Sequence, residues 1–153
     1  INIVKPANPT RHETAKYTYS FKGWTSTIVD VTENVVYTAV YDSTIRSYTI
    51  TFVNGSKEMQ SSNVAYGTTP SYKGETPTKK ATAQYAYTFK GWSPAIASVS
   101  GNATYTAVFD SSVNKYTVSF INGDKILQTS SVAYGEMPKY TGETPTKAST
   151  KSY

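Results

Sequence analysis

Cysteine is absent from this 153-residue chain, and histidine occurs only once, as His12. The first absence excludes disulfides, zinc ribbons, iron–sulfur clusters and thiol nucleophiles. The second argues against a metal site built of imidazoles and against a Ser-His-Asp triad, since both need histidine at the centre of the chemistry. Charged residues make up only 16% of the chain, whereas soluble domains contain about 25%. The composition therefore gives little support to an enzyme.

Long apolar runs are also missing. No stretch approaches the roughly 18 residues that span a membrane, and no signal peptide is visible. We expect that a signal has been removed or that the sequence is part of a longer protein. In place of charge the chain has threonine, serine and 14 tyrosines. This mixture is typical of a β-rich, secreted or extracellular chain without membrane insertion.

A tandem repeat organises the chain. Residues 17–84 align with residues 85–152 without a gap, at an offset of 68, and 36 of these 68 pairs are identical. The matching segments are FKGW at 21–24 and 89–92, YTAV at 37–40 and 105–108, VAYG at 64–67 and 132–135, and GETPTK at 74–79 and 142–147. Self-similarity at a fixed period is the signature of a repeat array.

Polar residues at 42–46 and 110–114 predict breaks between apolar strands, and we place the seams between repeat units there. These seams divide the chain into the C-terminal part of a unit at 1–44, a complete unit at 45–112 and the N-terminal part of another unit at 113–153. The first piece lacks the opening hairpin, and the last lacks the FKGW strand and the strand after it. One complete unit therefore stands between two partial ones.

Alternation of residue types predicts β-strands inside the unit. Tyr48, Ile50 and Phe52 share one face of the segment 48–53, and threonines occupy the other face. Further strands are predicted at 57–64, 85–89 and 104–109, a loop or short edge strand at 94–102, and an irregular crossover at 66–83 with one helical turn around 78–83. The predicted class is mainly β (α+β at most), built of tandem repeat units with the period given above.

Asparagine–glycine pairs follow the first strand of each predicted hairpin. Asn-Gly is a strong hairpin signal, because both central residues of a type I′ turn need positive φ. The sequence predicts such turns at Asn54, Gly55, Asn122 and Gly123.

Aromatic side chains must supply most of the core, since neither a disulfide nor an obvious metal site supports it. A unit as long as this repeat is near the size at which a lone core barely outweighs chain entropy. Trp24 and Trp92 each follow a glycine, which predicts a strand kink that turns the indole inward; a stacking platform for sugars is the alternative. The predicted core residues are Phe21, Trp24, Tyr37, Phe52, Phe89, Trp92, Tyr105, Phe109 and Phe120.

The order of the motifs resembles a known repeat family. FVNG at 52–55, VAYG at 64–67, Pro77, YTFKGW at 87–92 and YTAVF at 105–109 resemble the internalin B-type repeat, also called the Listeria–Bacteroides repeat. The resemblance covers essentially the whole chain, once in full and twice in part. This chain departs from the family pattern where its last strand ends in an aromatic–Asp pair instead of a tryptophan.

The resemblance implies a β-grasp-like fold, which is a sheet with a crossover across one face. It also implies secretion and display on a bacterial cell surface or cell wall, in stalks or adhesins. Members of the family are not enzymes, so no catalytic residue and no cofactor is carried over.

The residues themselves also argue against chemistry. His12 and Glu13 have no counterparts in the other two copies. The acids that do recur lie at a predicted seam or in a Gly-Pro loop, whereas general acid–base and glycosidase chemistry needs two carboxylates that converge across a cleft. These recurring acids are Asp42, Asp110, Glu75 and Glu143. We expect no enzyme activity and no metal site.

The net charge of +5 comes from dispersed lysines, with Lys79-Lys80 as the longest basic run. Nothing resembles the basic stripe or the aromatic pattern of a nucleic-acid-binding domain, so we expect no nucleic-acid partner. Weak attraction to teichoic acid, acidic glycans or membrane surfaces fits the charge better.

Two functions remain. The leading one is a structural stalk or spacer, in which folded units joined by short seams extend a chain and associate with adjacent repeats or chains. In its sharper form, residues 113–153 of one chain complete residues 1–44 of the next and give a head-to-tail filament; an array cut arbitrarily is the alternative. The other function is an adhesin-type binding module for host glycan, mucin or a surface protein. The sequence does not separate the two, because alternation does not show which face is buried.

Overall fold

The structure is a computed structural model of the chain that describes residues 7–149. Within this range no residue is helical and eight strands form, which confirms the predicted mainly β class. The strands are β1 (Tyr17–Trp24), β2 (Ala39–Ile45), β3 (Ser47–Asn54), β4 (Lys57–Ala65), β5 (Tyr85–Ser93), β6 (Ala103–Val113), β7 (Lys115–Asn122) and β8 (Lys125–Ala133). The beginning of the predicted piece 1–44 and the end of the predicted piece 113–153 lie outside the described residues.

The described strands pair into three sheets. β1 pairs antiparallel with β2, β7 pairs antiparallel with β8, and the remaining sheet has the order β4-β3-β6-β5. β3 and β6 run parallel, with Ile50 opposite Ala103 and Phe52 opposite Tyr105. Because parallel neighbours need a crossover, the chain travels from β3 to β6 through β4, the segment 66–84 and β5.

The strand bounds recur at the offset of the sequence repeat. β7 and β8 begin and end one repeat offset after β3 and β4, and β5 begins one offset after β1. The two hairpins also share a register irregularity, which follows Phe52 in the first and Phe120 in the second. Two bounds differ: β5 ends one residue after the position that corresponds to the end of β1, and β6 begins at Ala103, before the position that corresponds to the start of β2.

The chain divides into two compact units. Of the described residues, 7–75 and Trp92–Ala107 form one unit, and Thr76–Gly91 and 108–149 form the other. The first unit contains β1 to β4 with the adjoining ends of β5 and β6, and the second contains the rest of β5 and β6 with β7 and β8. These bounds differ from the sequence seams, and the division into one complete and two partial repeat units stays a prediction.

The polar segments at 42–46 and 110–114, predicted as breaks, are mostly strand. Only Arg46 separates β2 from β3, and only Asn114 separates β6 from β7. β2 keeps its regular backbone through its polar residues because β1 pairs with it as far as Ile45. The predicted break is therefore confirmed in each segment, but it is one residue long, because the rest of each segment is strand.

The hairpin turns also differ from the prediction. Asn54 is still paired with β4, so the two-residue loop is Gly55-Ser56. The φ of Gly55 is 60°, and no described residue other than glycine has positive φ. A type I′ turn needs positive φ at both central residues, whereas glycine at the first central position is the pattern of type II′. The predicted type I′ turns are wrong, and in the second hairpin Asn122 likewise ends the strand and Gly123 opens the loop.

The crossover after β4 is irregular, as predicted, but no residue of 78–83 is helical, so the predicted helical turn is wrong. Earlier in the crossover, the side chain of Gln60 bonds to the backbone. The amide of Gln60 donates to the backbone carbonyl of Ser71 at 3.0 Å and accepts from the backbone N–H of Lys73 at 2.9 Å. The segment 94–102 is a loop, one of the two predicted alternatives.

The buried core forms on one face of β3 and β6. Ile50, Phe52, Val99 and Tyr105 make one cluster in which Phe52 is fully buried. The Phe52 ring lies 4.8 Å from Trp92 and 5.3 Å from Tyr105, between ring centroids. Aromatic pairs at such distances stabilise a core beyond simple burial. Val99 is only 3% exposed although the sequence singled out nothing in its loop.

Several predicted core residues lie outside this cluster. Trp24 is 41% exposed, so its assignment to the core is wrong. Two rings, Phe52 and Tyr72, cover its counterpart Trp92, whereas Trp24 contacts Phe21 at 5.5 Å. The other predicted core aromatics are only half-buried and belong to no buried cluster; they are Phe21, Tyr37, Phe89, Phe109 and Phe120.

Candidate functional site

The recurring carboxylates of the strands form ion pairs. Lys22 lies 3.1 Å from Asp42, and Lys90 lies 3.0 Å from Asp110, measured from Nζ to Oδ1. All four side chains are largely exposed, so each pair contributes little to stability. Among residues 7–149, no group of three or more His, Asp or Glu side chains could hold a metal ion.

The two single-residue joints, Arg46 and Asn114, repeat the same backbone hydrogen bonds. The Arg46 N–H donates to the carbonyl of Lys16 at 2.9 Å, and the Arg46 carbonyl accepts from Tyr66 at 2.8 Å. At the second joint, Asn114 donates to Gln84 and accepts from Tyr134, both at 2.8 Å. The N–H of each joint residue thus bonds to the residue that precedes the strand pair before the joint. Its carbonyl bonds to the residue that follows the hairpin after the joint.

Side chains reinforce the first joint. Arg46 Nη1 donates to the carbonyl of Thr14 at 2.9 Å, and the Tyr48 hydroxyl donates to the carbonyl of Ala15 at 2.6 Å. Glu13 lies 3.2 Å from Arg46 and completes the group with an ion pair. The residue pair His12-Glu13 therefore has one exposed histidine and one acid that serves the joint.

The second joint uses different chemistry for the same connection. Asn114 Nδ2 donates to the carbonyls of Thr82 and Ala83 at 2.7 and 3.1 Å. The Tyr116 hydroxyl donates to the carbonyl of Ala83 at 2.5 Å, as Tyr48 does to Ala15. Arginine and asparagine therefore satisfy equivalent backbone acceptors. Sequence reasoning missed these contacts, although the recurrence of the tyrosine at the offset of 68 was a usable signal.

A second candidate surface lies between β1 and β2. We call residues 24–38 the head segment. Val31 is 82% exposed there, whereas its counterpart in the next copy, Val99, is 3% exposed. Tyr37 is half-buried, whereas its counterpart Tyr105 is 4% exposed. A small depression of about 80 Å³ lies within the segment, with Val31 and Tyr37 in its lining. The exposed apolar residues of the head segment are Trp24, Ile28, Val29, Val31, Val35 and Val36.

The head segment also lacks a strand that its counterpart has. Residues 103–106 belong to β6 and pair with β3, whereas residues 35–38 have no regular secondary structure. The loop around them is otherwise built alike: Val29 N–H donates to the Tyr37 hydroxyl at 3.3 Å, and Ala97 N–H donates to the Tyr105 hydroxyl at the same distance.

A third candidate surface is the tail hairpin, by which we mean β7, β8 and residues 134–146. Its Phe120 is half-buried, whereas the counterpart Phe52 is fully buried. The crossover after β8 keeps the bonds of its counterpart, because the Gln128 amide donates to Lys139 at 2.8 Å and accepts from Thr141 at 2.8 Å. A tyrosine of the same crossover, Tyr140, packs on Phe120 at 5.2 Å. The tail hairpin is thus locally folded but leaves core-type residues uncovered.

Tyrosines form a short row on β1 and on β5. The rings of Tyr17 and Tyr19 lie 6.2 Å apart, and those of the counterpart pair on β5 lie 6.3 Å apart. A cation lies over the second tyrosine of each row, Arg11 over Tyr19 at 4.2 Å and Lys79 over Tyr87 at 4.1 Å. The tyrosines are half-buried, so part of each ring faces solvent.

None of the described residues forms a helix that could cross a membrane. Comparison with protein-family models, with curated proteins and with solved structures finds no match to this chain.

Proposed function

We propose that this chain is a structural repeat segment of a secreted or cell-surface bacterial protein, acting as a stalk or spacer without catalysis. The hydrogen bonds that recur at the two joints are the main observation in support of this proposal. Two joints, one repeat offset apart, use the same backbone hydrogen bonds and the same tyrosine contact, although the joint residue changes from Arg46 to Asn114. The resemblance to the internalin B-type repeat supports the assignment to a bacterial surface and a β-grasp-like unit.

A spacer needs joints that resist bending. A flexible linker lets neighbouring units adopt many orientations, whereas ordered bonds on both sides of one residue leave few. Here the backbone of Asn114 makes one bond in each direction, and its side chain with that of Tyr116 adds three more to 82–83. Each such bond contributes about 0.5–1.5 kcal/mol. A set of this size holds the joint in one arrangement.

Distance measurements across the second joint test this proposal. The chain has no cysteine, so spin labels on Thr88→Cys and Thr129→Cys report one distance without background labelling. Both positions are exposed and lie in the same compact unit, before and after the joint. Pulsed electron paramagnetic resonance should give one narrow distance distribution. The double variant N114G/Y116F should broaden it.

Tyr134→Phe is the matched control. Tyr134 and Tyr116 are both 48% exposed, but the Tyr134→Phe variant leaves the Tyr116 bond to Ala83 intact, so its distribution should match that of the unmodified chain. A broad distribution in the unmodified chain contradicts the proposal, and so does a joint variant that is as narrow as the control.

The adhesin-type binding module remains the second candidate function because the tyrosine rows recur. The cation covers one face of each of these rings, so a sugar would contact the remaining exposed surface of the tyrosine while the cation binds the acidic substituents of the sugar. Titration with sialylated mucin glycans, followed by NMR, should then shift the signals of Tyr19 and Tyr87, and Tyr87→Ser should remove the response of β5 alone. Unchanged spectra at millimolar glycan would contradict this second function.

A further inference from the structure

We propose that the head segment of one molecule binds the tail hairpin of a second copy of this chain, so that β7 adds as a parallel strand beside residues 35–38. The inference rests on the proposed structural role and deepens it, because it names the partner. It assigns one function to the two surfaces that expose core-type residues. The contact is heterologous, so repetition gives a head-to-tail polymer rather than a closed dimer.

The register of this contact can be read from the same chain. In the four-stranded sheet, Ile50 lies opposite Ala103 and Phe52 opposite Tyr105 in a parallel pairing. Each β3 residue has a counterpart in β7 at 68 residues later, and each of these β6 residues has a counterpart in the head segment at 68 residues earlier. The same pairing between these counterparts places Val118 opposite Val35, and Phe120 opposite Tyr37. Strand addition of this kind supplies backbone hydrogen bonds for affinity and side-chain pockets for specificity.

Burial supplies the driving force. Phe52, Tyr105 and Val99 are all at most 4% exposed once β3 lies on β6. Their counterparts in the two open surfaces are half-buried, half-buried and 82% exposed, respectively. Covering Val31 alone removes most of its side chain from water, and burial of apolar surface favours association. Trp24 would gain Phe120 and Tyr140, the counterparts of the two rings that cover Trp92.

Polar partners also match across the two surfaces. In the four-stranded sheet, Gly67 donates to the carbonyl of Val99 and Val99 donates back to the carbonyl of Thr68, at 2.8 and 2.9 Å. The Thr49 N–H donates to Asn102 Oδ1 at 2.9 Å. Four of the five residue types are retained at the offset, in Val31 and Asn34 of the head segment and in Thr117 and Gly135 of the tail hairpin. Thr68 is replaced by Glu136, but this contact uses only the backbone carbonyl.

Both surfaces are already ordered, which lowers the entropy that association must overcome. The head segment keeps its bond from Val29 to Tyr37, and the tail hairpin keeps the Gln128 bonds that fix its crossover. Residues 35–38 change from irregular chain to strand, as their counterparts 103–106 are. The second copy therefore meets two preformed surfaces rather than two unfolded ends.

Point variants on exposed residues separate this contact from folding. Val31→Asp places a carboxylate at a position that is 82% exposed in the single chain but buried in the complex. Val36→Asp is the matched control: Val36 is 83% exposed, and its counterpart Thr104 stays exposed in the four-stranded sheet. On the tail hairpin, Pro138→Asp changes an exposed residue whose counterpart Pro70 is buried.

Light scattering over a concentration series up to about 1 mM, the limit of weak specific binding, gives the readout. The unmodified chain and Val36→Asp should gain mass with concentration. Val31→Asp and Pro138→Asp should each weaken association by about 100-fold or more, because an unpaired buried carboxylate is strongly unfavourable. Mixing the two weakened variants should give a 1:1 complex and no larger species, since one intact head segment and one intact tail hairpin remain.

Three results overturn the proposal. The first is a monomer at every concentration, as expected if a different segment covers these surfaces. The second is equal association by Val31→Asp and Val36→Asp. The third is a mixture of Val31→Asp and Pro138→Asp that stays monomeric while the unmodified chain associates. Each leaves the joint measurement untouched, so failure here and failure of the spacer proposal are distinguishable.

Discussion

Replacing Phe52 and Phe120 by alanine, one at a time, is the sharpest test of how this chain gains its stability. The two residues occupy the same position of the repeat, at the offset of 68. Phe52 is fully buried, and its ring neighbours are Tyr72, Trp92 and Tyr105. Phe120 is half-buried, and its ring neighbour is the tyrosine of the tail crossover. The two phenylalanines therefore share one position in the repeat and differ in how deeply they are buried.

The expected magnitudes follow from burial. Removing a fully buried phenylalanine side chain costs about 3–5 kcal/mol, because apolar contacts are lost and a cavity remains. A half-buried ring with one aromatic partner should lose about half of that. Small domains have about 5 kcal/mol of total stability at the low end of the usual range. Phe52→Ala should therefore come close to unfolding the four-stranded sheet, while Phe120→Ala leaves it folded.

Urea unfolding monitored by tryptophan fluorescence measures both losses. A Trp24→Phe background leaves Trp92, which packs beside Phe52, as the only tryptophan. Phe52→Leu, with an expected loss of about 1–2 kcal/mol, provides a measurable value if the alanine variant is unfolded. The protein concentration must stay below the range in which the proposed association is tested. Equal losses for Phe52→Ala and Phe120→Ala would refute the reasoning that burial, and not repeat position, sets stability.

Further substitutions test local conformation and charge. Gly55→Ala should lower the free energy of unfolding by about 1 kcal/mol, because the φ of Gly55 is 60° and no atom crowds the added carbon. Gly55→Asn should lower it less, since asparagine tolerates positive φ better. Equal losses in thermal unfolding would contradict the assigned turn. Gly91→Ala should cost about 1–3 kcal/mol, since its φ of 151° is strained for alanine and its surroundings are open; a neutral result in the same assay would contradict this. Lys90→Met should change the free energy of unfolding by less than about 1 kcal/mol, because the ion pair of Lys90 with Asp110 is solvent-exposed. A larger loss in urea unfolding would contradict the small contribution assigned to this ion pair.

The strands were predictable from the sequence, because alternation and hairpin glycines are local signals. The segment 48–53 predicted the face of Ile50 and Phe52 that the structure buries. The turn type was missed because the pairing extends one residue further than the Asn-Gly pair suggests, so that Asn54 ends a strand. A shift of one residue in register changes which residues form the loop, and local sequence does not fix it.

Burial was less predictable, because it depends on neighbours far away in the sequence. Trp24 and Trp92 have the same local sequence, FKGW, yet only Trp92 is covered by Phe52 and Tyr72. The valine at positions 31 and 99 shows the same contrast, at 82% and 3% exposure. Identical patterns therefore predict identical strands but not identical cores. The predicted breaks were too long for a related reason, since pairing with a neighbouring strand keeps the polar residues before Arg46 and Asn114 in strands.

The second joint, at Asn114, lies inside one compact unit of the chain. This unit contains most of β5, the last part of β6, and β7 and β8, with Asn114 between β6 and β7. Its hydrogen bonds from Asn114 and Tyr116 to residues 82–83 explain why the hairpin groups with the strands before it. A hairpin held in this way presents its free core-type face, with Phe120, to whatever pairs with β7. The same bonds would therefore fix the direction in which a further copy adds, so that the proposed spacer role and the proposed head-to-tail assembly depend on one structural element.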